Sequence, residues 1–339
     1  TRGIPVNRPG DLFAVDWYAK VWPKVGHWSG HIDPRTGERV GEAVSYAAFR
    51  ALEQAAAPQA TIAGFRRITR TTTIARGEPS TAETTLVSGG HFETVGVRTA
   101  AGRLITRADD APGAAPVAVV SHRFWQRAFG GEASAIGATL SVNGQPFTVV
   151  GVAARDYYGV MPGTWVDLYL PFHSAMSVDP DFARRKQPLL VTTKIWWVQM
   201  IGRKRPDADA AAVERRLDGV FAQTLEPSAL EGLPTRPKLR LRSGWRGYEF
   251  ARSAVVTTVS ILMGLAALVL LVACANVGGL VAAKMCARRQ ETAMRAARGA
   301  GRLRLARQYL TESMLLGTAA GAVGLALDNP LPEGLLLLF

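Results

Sequence analysis

The chain has 339 residues, 48% of them hydrophobic, and 40 Lys and Arg against 27 Asp and Glu give it a formal charge of +13. That length accommodates two domains, and the long polar N-terminal part is large enough to bury a core of its own. Two cysteines, Cys274 and Cys286, sit twelve residues apart on one apolar segment, about 18 Å along a helix, which excludes an intrachain disulfide.

Residues 1 to 44 read as loop-rich, with turns at Arg8–Asp11 and His31–Glu42. Ser45 is placed to cap a short helix reaching Ala57, with Phe49 and Leu52 inward and Pro58 as its stop. Ile62–Arg67, Thr69–Ala75 and Thr81–Val87 are rich in Thr, Ile and Val and read as strands. Ser88–Val97 fits a turn, a short helix and a return strand. The loop Ala108–Pro116 leads to a strand at Val117–Ser121 and a helix at His122–Phe129, which Gly130-Gly131 ends. Asn143-Gly144 between β-rich flanks marks a hairpin. Trp165–Phe172 and Ile195–Arg203 are strand candidates, and Asp207 opens a helix to Leu225 with Val213, Leu217, Val220 and Phe221 on one face. Leu239 and Leu241 alternate with Arg240 and Arg242, as in a strand. Strands and helices intermix in two subregions without an internal repeat, so residues 1–250 are expected to form an α+β domain.

Ser253–Ala283 carries no charged side chain, where roughly 20 apolar residues cross the hydrocarbon core of a bilayer. A buried helix of this length without a cap or a polar face is rare in a soluble protein, so the segment reads as a membrane span. Between Lys284 and Arg307 stand eight basic residues and one acid, Glu291. That places +7 of the +13 beside the span, the mark of a cytoplasmic loop next to anionic lipid, and it removes the main reason to expect a nucleic-acid partner. Six further basic residues lie between Arg236 and Arg252, but long domains translocate largely regardless of charge, so residues 1–250 are placed outside. Arg288–Arg298 reads as a short basic helix with an i,i+4 pair of Glu291 and Arg295. Gly299-Ala300-Gly301 breaks it, and Arg302–Leu310 resumes with Leu303, Ala306, Leu310 and Met314 on one face. Ser313–Leu327 is uncharged and contains Gly317 and Gly321 at the spacing that lets membrane helices approach closely. Asn276, among Gly278, Gly279 and several alanines, marks an end of the span built to pack against another helix. The organisation expected is an extracytoplasmic domain (1–250), a transmembrane helix (251–284), a basic cytoplasmic loop (285–310) and a second, incomplete span (311–339). The chain opens on Thr-Arg-Gly without a signal peptide, so a segment upstream is expected to carry the N-terminal region across the membrane.

Chemistry is sparse. No GxxxxGK[ST], GxSxG or HExxH pattern occurs, and no catalytic, metal or cofactor site is assigned. His27 and His31 lie in loop-like surroundings without a third ligand. Asp109-Asp110, beside Pro and Ala, reads as a pair of solvated loop charges. Trp196-Trp197, in a strand, would point to opposite faces, one into the core and one toward an interface.

Three stretches, Leu86–Asp110, Ala115–Ala153 and Leu268–Leu316, together about half of the chain, resemble the MacB/FtsX-like permease family. These are the transmembrane subunits of ATP-binding-cassette (ABC) systems for macrolide export, lipoprotein release and cell-division signalling. The wording is most like the long, internally duplicated permeases, of which this chain would be the N-terminal half. The resemblance implies four helices with the large domain between the first and second, the first lying before Thr1 and the fourth missing. It implies a plasma (inner) membrane, multi-pass protein that is not itself an enzyme, a separate cytoplasmic ABC-type ATPase, and a second permease half or copy, as a homodimer or a duplicated chain. Arg288, Arg289, Glu291, Arg295 and Gly299 match its ATPase-coupling segment, and Asn276 its polar position in the span. Thr292, Ala296 and Arg298 stand where family members usually carry aliphatic residues, which leaves less apolar surface to dock. The function expected is transmission of ATP-driven motion to the extracytoplasmic domain. The rival reading is a membrane-anchored extracytoplasmic binding or assembly module without an ATPase.

Overall fold

The computed structural model describes residue 6, residues 8–26, 29–161, 163–184, 189–244 and 250–287, and the single positions 307, 311, 314, 317 and 318. It divides into two units, Thr1–Val255 and Val256–Phe339.

A 3-10 turn at Pro9–Asp11 leads into β1 (Leu12–Ala19), which is buried at every position except Tyr18. The loop-rich reading of this region missed β1: the strand is covered on both faces, so it lacks the alternation that betrays a half-exposed strand. β2 (Gly30–Ile32) and β3 (Arg39–Gly41) form a hairpin about the expected turn, and β4 (Ala43–Val44) follows. α1 (Tyr46–Ala56) starts at Ser45, whose hydroxyl accepts from the Ala48 N–H, and it buries Phe49 and Leu52. β5 (Ala60–Ala75) and β6 (Glu78–Val87) make a long hairpin closed by Arg76 and Gly77, both at positive φ, as a type I′ turn requires. The two strands read at 62–67 and 69–75 are one strand with a register shift between Ile68 and Thr71, where Arg70 adopts φ 54°.

α2 (His91–Val95) and β7 (Thr99–Gly102) precede β8 (Val117–Val120) and α3 (His122–Phe129). Ser121 caps α3 through the Phe124 N–H, and Gly130 ends it at φ 65°. β9 (Thr139–Val142) and β10 (Gln145–Ala153) pair about Asn143-Gly144, both at positive φ. β11 (Leu168–Pro171) is followed by a 3-10 turn at Phe172–Ser174 and two single-turn helices, α4 (Ala175–Val178) and α5 (Pro180–Ala183). β12 (Val198–Lys204), α6 (Ala210–Thr224, capped by Asp209), α7 (Pro227–Leu230) and β13 (Lys238–Ser243) complete the sheet unit. α8 (Phe250–Ala287) is the long apolar helix.

The strands pair in the order β2-β3-β1-β12-β5-β6-β11-β8-β10-β7, with β13 on β1, β4 on β12, and β9 on both β10 and β5. The β10–β8 and β11–β6 pairings are parallel and the others antiparallel. Mixed α/β structure is thus arranged in two groups. One contains β1, β12 and β13 with α1 and α6; the other, inserted between β6 and β12, contains β8 to β11 with α3. β5 belongs to both, since Ala60–Phe65 pair with β12 while Thr73–Ala75 pair with β9.

Side chains from successive positions enter different cores. Ala118 and Val120 of β8 join Phe49, Leu52, Phe172 and Phe221 on one side, whereas Val117 and Val119 join Phe65, Phe92, Tyr157 and Tyr169 on the other. Trp196 and Trp197 precede β12 and both enter the same core, so the reading of a strand that sends one ring to the core and one to an interface is corrected. Trp196 packs edge-on against Trp17, its ring centroid 5.2 Å away, and Trp197 against Phe172 at 4.9 Å. Both rings are buried, and the edge-to-face geometry is the favoured one for aromatic pairs.

Candidate functional site

One helical face of α1 carries Tyr46, Arg50 and Glu53, continued by the capping residue Ala57, at spacings of three and four residues. That face forms a wall of a cleft of about 910 Å3, closed opposite by the turn before α2, the loop from Arg107 to Pro112, His173 and the pair Leu190-Val191. Volumes of 300–1,000 Å3 are typical of small-molecule sites.

The loop is held by its two aspartates, in different ways. Asp109 takes a bidentate ion pair from Arg103, at 2.6 and 2.8 Å, and accepts from the Thr106 N–H and hydroxyl. The Arg103 hydrogen bonds lead in pulling its carboxyl down to about 2. Asp110 turns inward. Its Oδ1 accepts from the His173 N–H at 3.1 Å and contacts the His173 Nδ1 at 2.9 Å, and its Oδ2 accepts from the Gly89 N–H at 3.0 Å. Burial raises its pKa, against the opposing pull of those hydrogen bonds. The two aspartates are therefore not solvated charges: Asp109 braces the loop on Arg103 and Thr106, and Asp110 ties it to His173 just after β11 and to the Ser88–Gly90 turn. Gly89 permits that closure, because a β-carbon there would stand 2.5 Å from the Arg107 Cα.

Across the cleft, Arg50 donates to Glu53. Burial raises the Glu53 carboxyl, with Arg50 and then Arg107 opposing. Arg107 is exposed and has no hydrogen-bond or ion-pair partner among the described residues. Leu190 and the buried Ile62 also line the cleft, and Val191 there is 73% exposed. None of these residues stood out in the sequence, because each is ordinary locally and only the topology gathers them. The consecutive glycines 89 and 90 were the one local sign of a close backbone approach.

The other site residues read from the sequence fall in or near α8. Val259–Leu280 is a 22-residue apolar segment of mean hydropathy 2.4, with none of it buried. Asn276, Gly278 and Gly279 lie in it and are exposed, and a β-carbon on either glycine would meet nothing within 4 Å. Gly317 is exposed as well. Arg288, Arg289, Glu291, Arg295, Gly299 and Gly321 lie outside the described residues, as does His27. His31 Nδ1 lies 3.6 Å from Glu42 Oε1, and among the described residues no group of three or more His, Cys, Asp and Glu is arranged to hold a metal.

Comparison with known proteins places residues 7–220 in the family described as MacB-like periplasmic core domain. The chain is 26% identical over 246 residues to the pyoverdine export ATP-binding/permease protein PvdT of Pseudomonas syringae pv. tomato, covering 70% of this chain and 33% of that one. It is 21% identical over 238 residues to the macrolide export ATP-binding/permease protein MacB of Aggregatibacter actinomycetemcomitans, again 70% and 33%. The chain therefore spans about a third of the length of the curated relatives it matches. Among solved structures, it is similar to the periplasmic region of MacB from Actinobacillus actinomycetemcomitans, with a TM-score of 0.45 and 14% identity over 74% of this chain and 92% of that one.

Proposed function

Because the chain belongs to the MacB-like periplasmic core domain family, which matches residues 7–220, we propose that it is a permease subunit of an ABC transporter of the export type. Residues 1–250 form its extracytoplasmic domain at the inner membrane, 251–284 its span, 285–310 a cytoplasmic coupling loop and 311–339 a second membrane segment. It performs no bond chemistry of its own. It transmits the closing motion of a separate ATPase to the outer domain, working beside a second permease half or copy.

One observation carries this reading: a family-matched domain is followed by an apolar helix and then by eight basic residues against one acid. A helix holds its length under load because its hydrogen bonds run within the segment, so it can pass displacement between the two sides of a bilayer. β13 supports the domain end of that path. It pairs with β1 over six residues, Arg242 also bonds the buried Asp16 at 2.8 Å, and Ser243 lies seven residues before α8 begins. On this reading Arg288, Arg289, Glu291, Arg295 and Gly299 form the ATPase contact, and Asn276, Gly278, Gly279, Gly317 and Gly321 pack against neighbouring helices.

Reversing the charge of Arg288, Arg289 and Arg295 together weakens co-purification with the ATPase and lowers its stimulated turnover. Unchanged association and turnover in that triple variant would remove the coupling role. The cleft beside α1 favours the second reading, a membrane-anchored binding module, and that reading gains if the triple variant behaves as the parent while ligand binding persists.

A further inference from the structure

We propose that the cleft between α1 and the 107–112 loop is a binding site for a small organic anion with an apolar body, its anionic group held by Arg107. The inference goes beyond the coupling role and does not depend on it.

The charge pairing in the cleft selects the sign of the ligand. Glu53 is engaged by Arg50, and both oxygens of Asp110 are engaged by the Gly89 and His173 groups. A ligand cation would find three of these four carboxylate oxygens already engaged. Arg107 has no hydrogen bond or ion pair within 4 Å among the described residues, although its charge acts on Glu53; a β-carbon at Gly90 would stand 3.5 Å from its Nε and Nη2 and 3.7 Å from Glu53 Oε1. A planar guanidinium offers two parallel N–H groups to a carboxylate, sulfonate or phosphate. The glycine keeps the approach to it open.

Shape selects the rest of the molecule. The cleft's exposed lining is more apolar than polar, and it includes Leu190, the exposed Val191, Ala57 and the Tyr46 ring, with the buried Ile62 behind them. A volume of about 910 Å3 is far larger than an inorganic anion needs and suits a drug-sized organic one. The site is thus matched to an amphipathic acid, with the charged end at the loop and the body along α1.

The test is isothermal titration calorimetry of the full chain in phosphatidylcholine nanodiscs, with empty discs subtracted. Three probes share one body: naphthalene-2-sulfonate, the neutral naphthalene-2-sulfonamide and the cationic naphthylmethylammonium. The sulfonate is expected to bind at one site per chain, at least tenfold more tightly than the other two. Arg107→Gln, at an exposed position, is expected to weaken it about tenfold, the scale of one charge-assisted hydrogen bond, and Arg107→Lys to recover part of that loss. Ala57→Trp, which sets an indole over the exposed rim, is expected to abolish binding while near-ultraviolet dichroism stays unchanged. Equal binding of all three probes, no binding above empty discs, or an unaltered affinity in Arg107→Gln would each overturn the proposal. Failure here leaves co-purification with the ATPase untouched, and failure there leaves the probe titration untouched.

Discussion

Glu42 carries the clearest pH-sensitive group in the extracytoplasmic unit. Its side chain is 1% exposed between β3 and β4. Asp16 of β1 with its partner Arg242 of β13, His31 of β2 and Gln199 of β12 surround it. Burial first, and the Asp16 charge second, raise its pKa from 4.5 to about 7, against the pull of Arg242 and Gln199. A raised carboxyl pKa means that the folded chain holds a proton the unfolded chain has released. The associated stability is complete below pH 4.5 and is lost as pH climbs to about 7. At 1.36 kcal/mol per pH unit the loss is on the order of 3 kcal/mol. Thermal unfolding of the full chain should therefore show Tm falling across that interval. Glu42→Gln, which keeps a hydrogen-bonding partner for Gln199 without the charge, should flatten the profile and raise Tm above pH 7. A variant whose Tm follows the parent's at every pH would exclude Glu42 as the source. Gly41, next to it, shows the opposite kind of constraint. A β-carbon there would stand 1.9 Å from the buried Trp17 indole, so Gly41→Ala should cost about 1–3 kcal/mol through overpacking, visible as a lower Tm at all pH values.

Among the elements, the helices with side-chain caps are the most separable units. Ser45 and Ser121 each accept an N–H three residues on, at 3.2 Å, and both serines are buried. Replacing either by alanine should cost about 1 kcal/mol, with Ser121→Ala loosening α3 and leaving α1 alone. Hydrogen exchange that rose in both helices together would show that they are not independent. α1, α3, α6 and the Asn143-Gly144 hairpin were legible in the sequence because their signals are local: a cap, a stop and a turn pair. β1 was not, since burial on both faces erases its period and Asp16 interrupts its apolar run. The break read within β5 was a true local event, the bulge at Arg70, but pairing with β6 on either side carries the strand through it. The cleft was illegible for a related reason. Asp110 and His173 are 63 residues apart, and nothing near either one announces the other.

For the whole molecule the deciding quantity is the apolar surface of α8. Twelve large hydrophobic side chains between Val259 and Leu280 are exposed, among them Ile261, Leu262, Leu265, Leu268, Leu270 and Leu271. At about 1.5–3 kcal/mol for each side chain taken out of water, covering them is worth roughly 20–35 kcal/mol. That is larger than the 5–15 kcal/mol net stability of an ordinary domain, so a cover for this helix is strongly favoured. Twenty-two residues span about 33 Å at 1.5 Å each, against a hydrocarbon core of about 30 Å. Lipid is thus both sufficient and matched in thickness as a cover. The expected consequence is topological. After Cys274 and Cys286 are replaced by serine, a single cysteine at Glu231, which is exposed in the first unit, should react with a membrane-impermeant maleimide in intact cells. A single cysteine at Arg302, in the basic segment, should react only after the membrane is opened. Labelling of both positions from the same side would mean that α8 is covered by protein or lies along the membrane surface, and the transmission role would go with it.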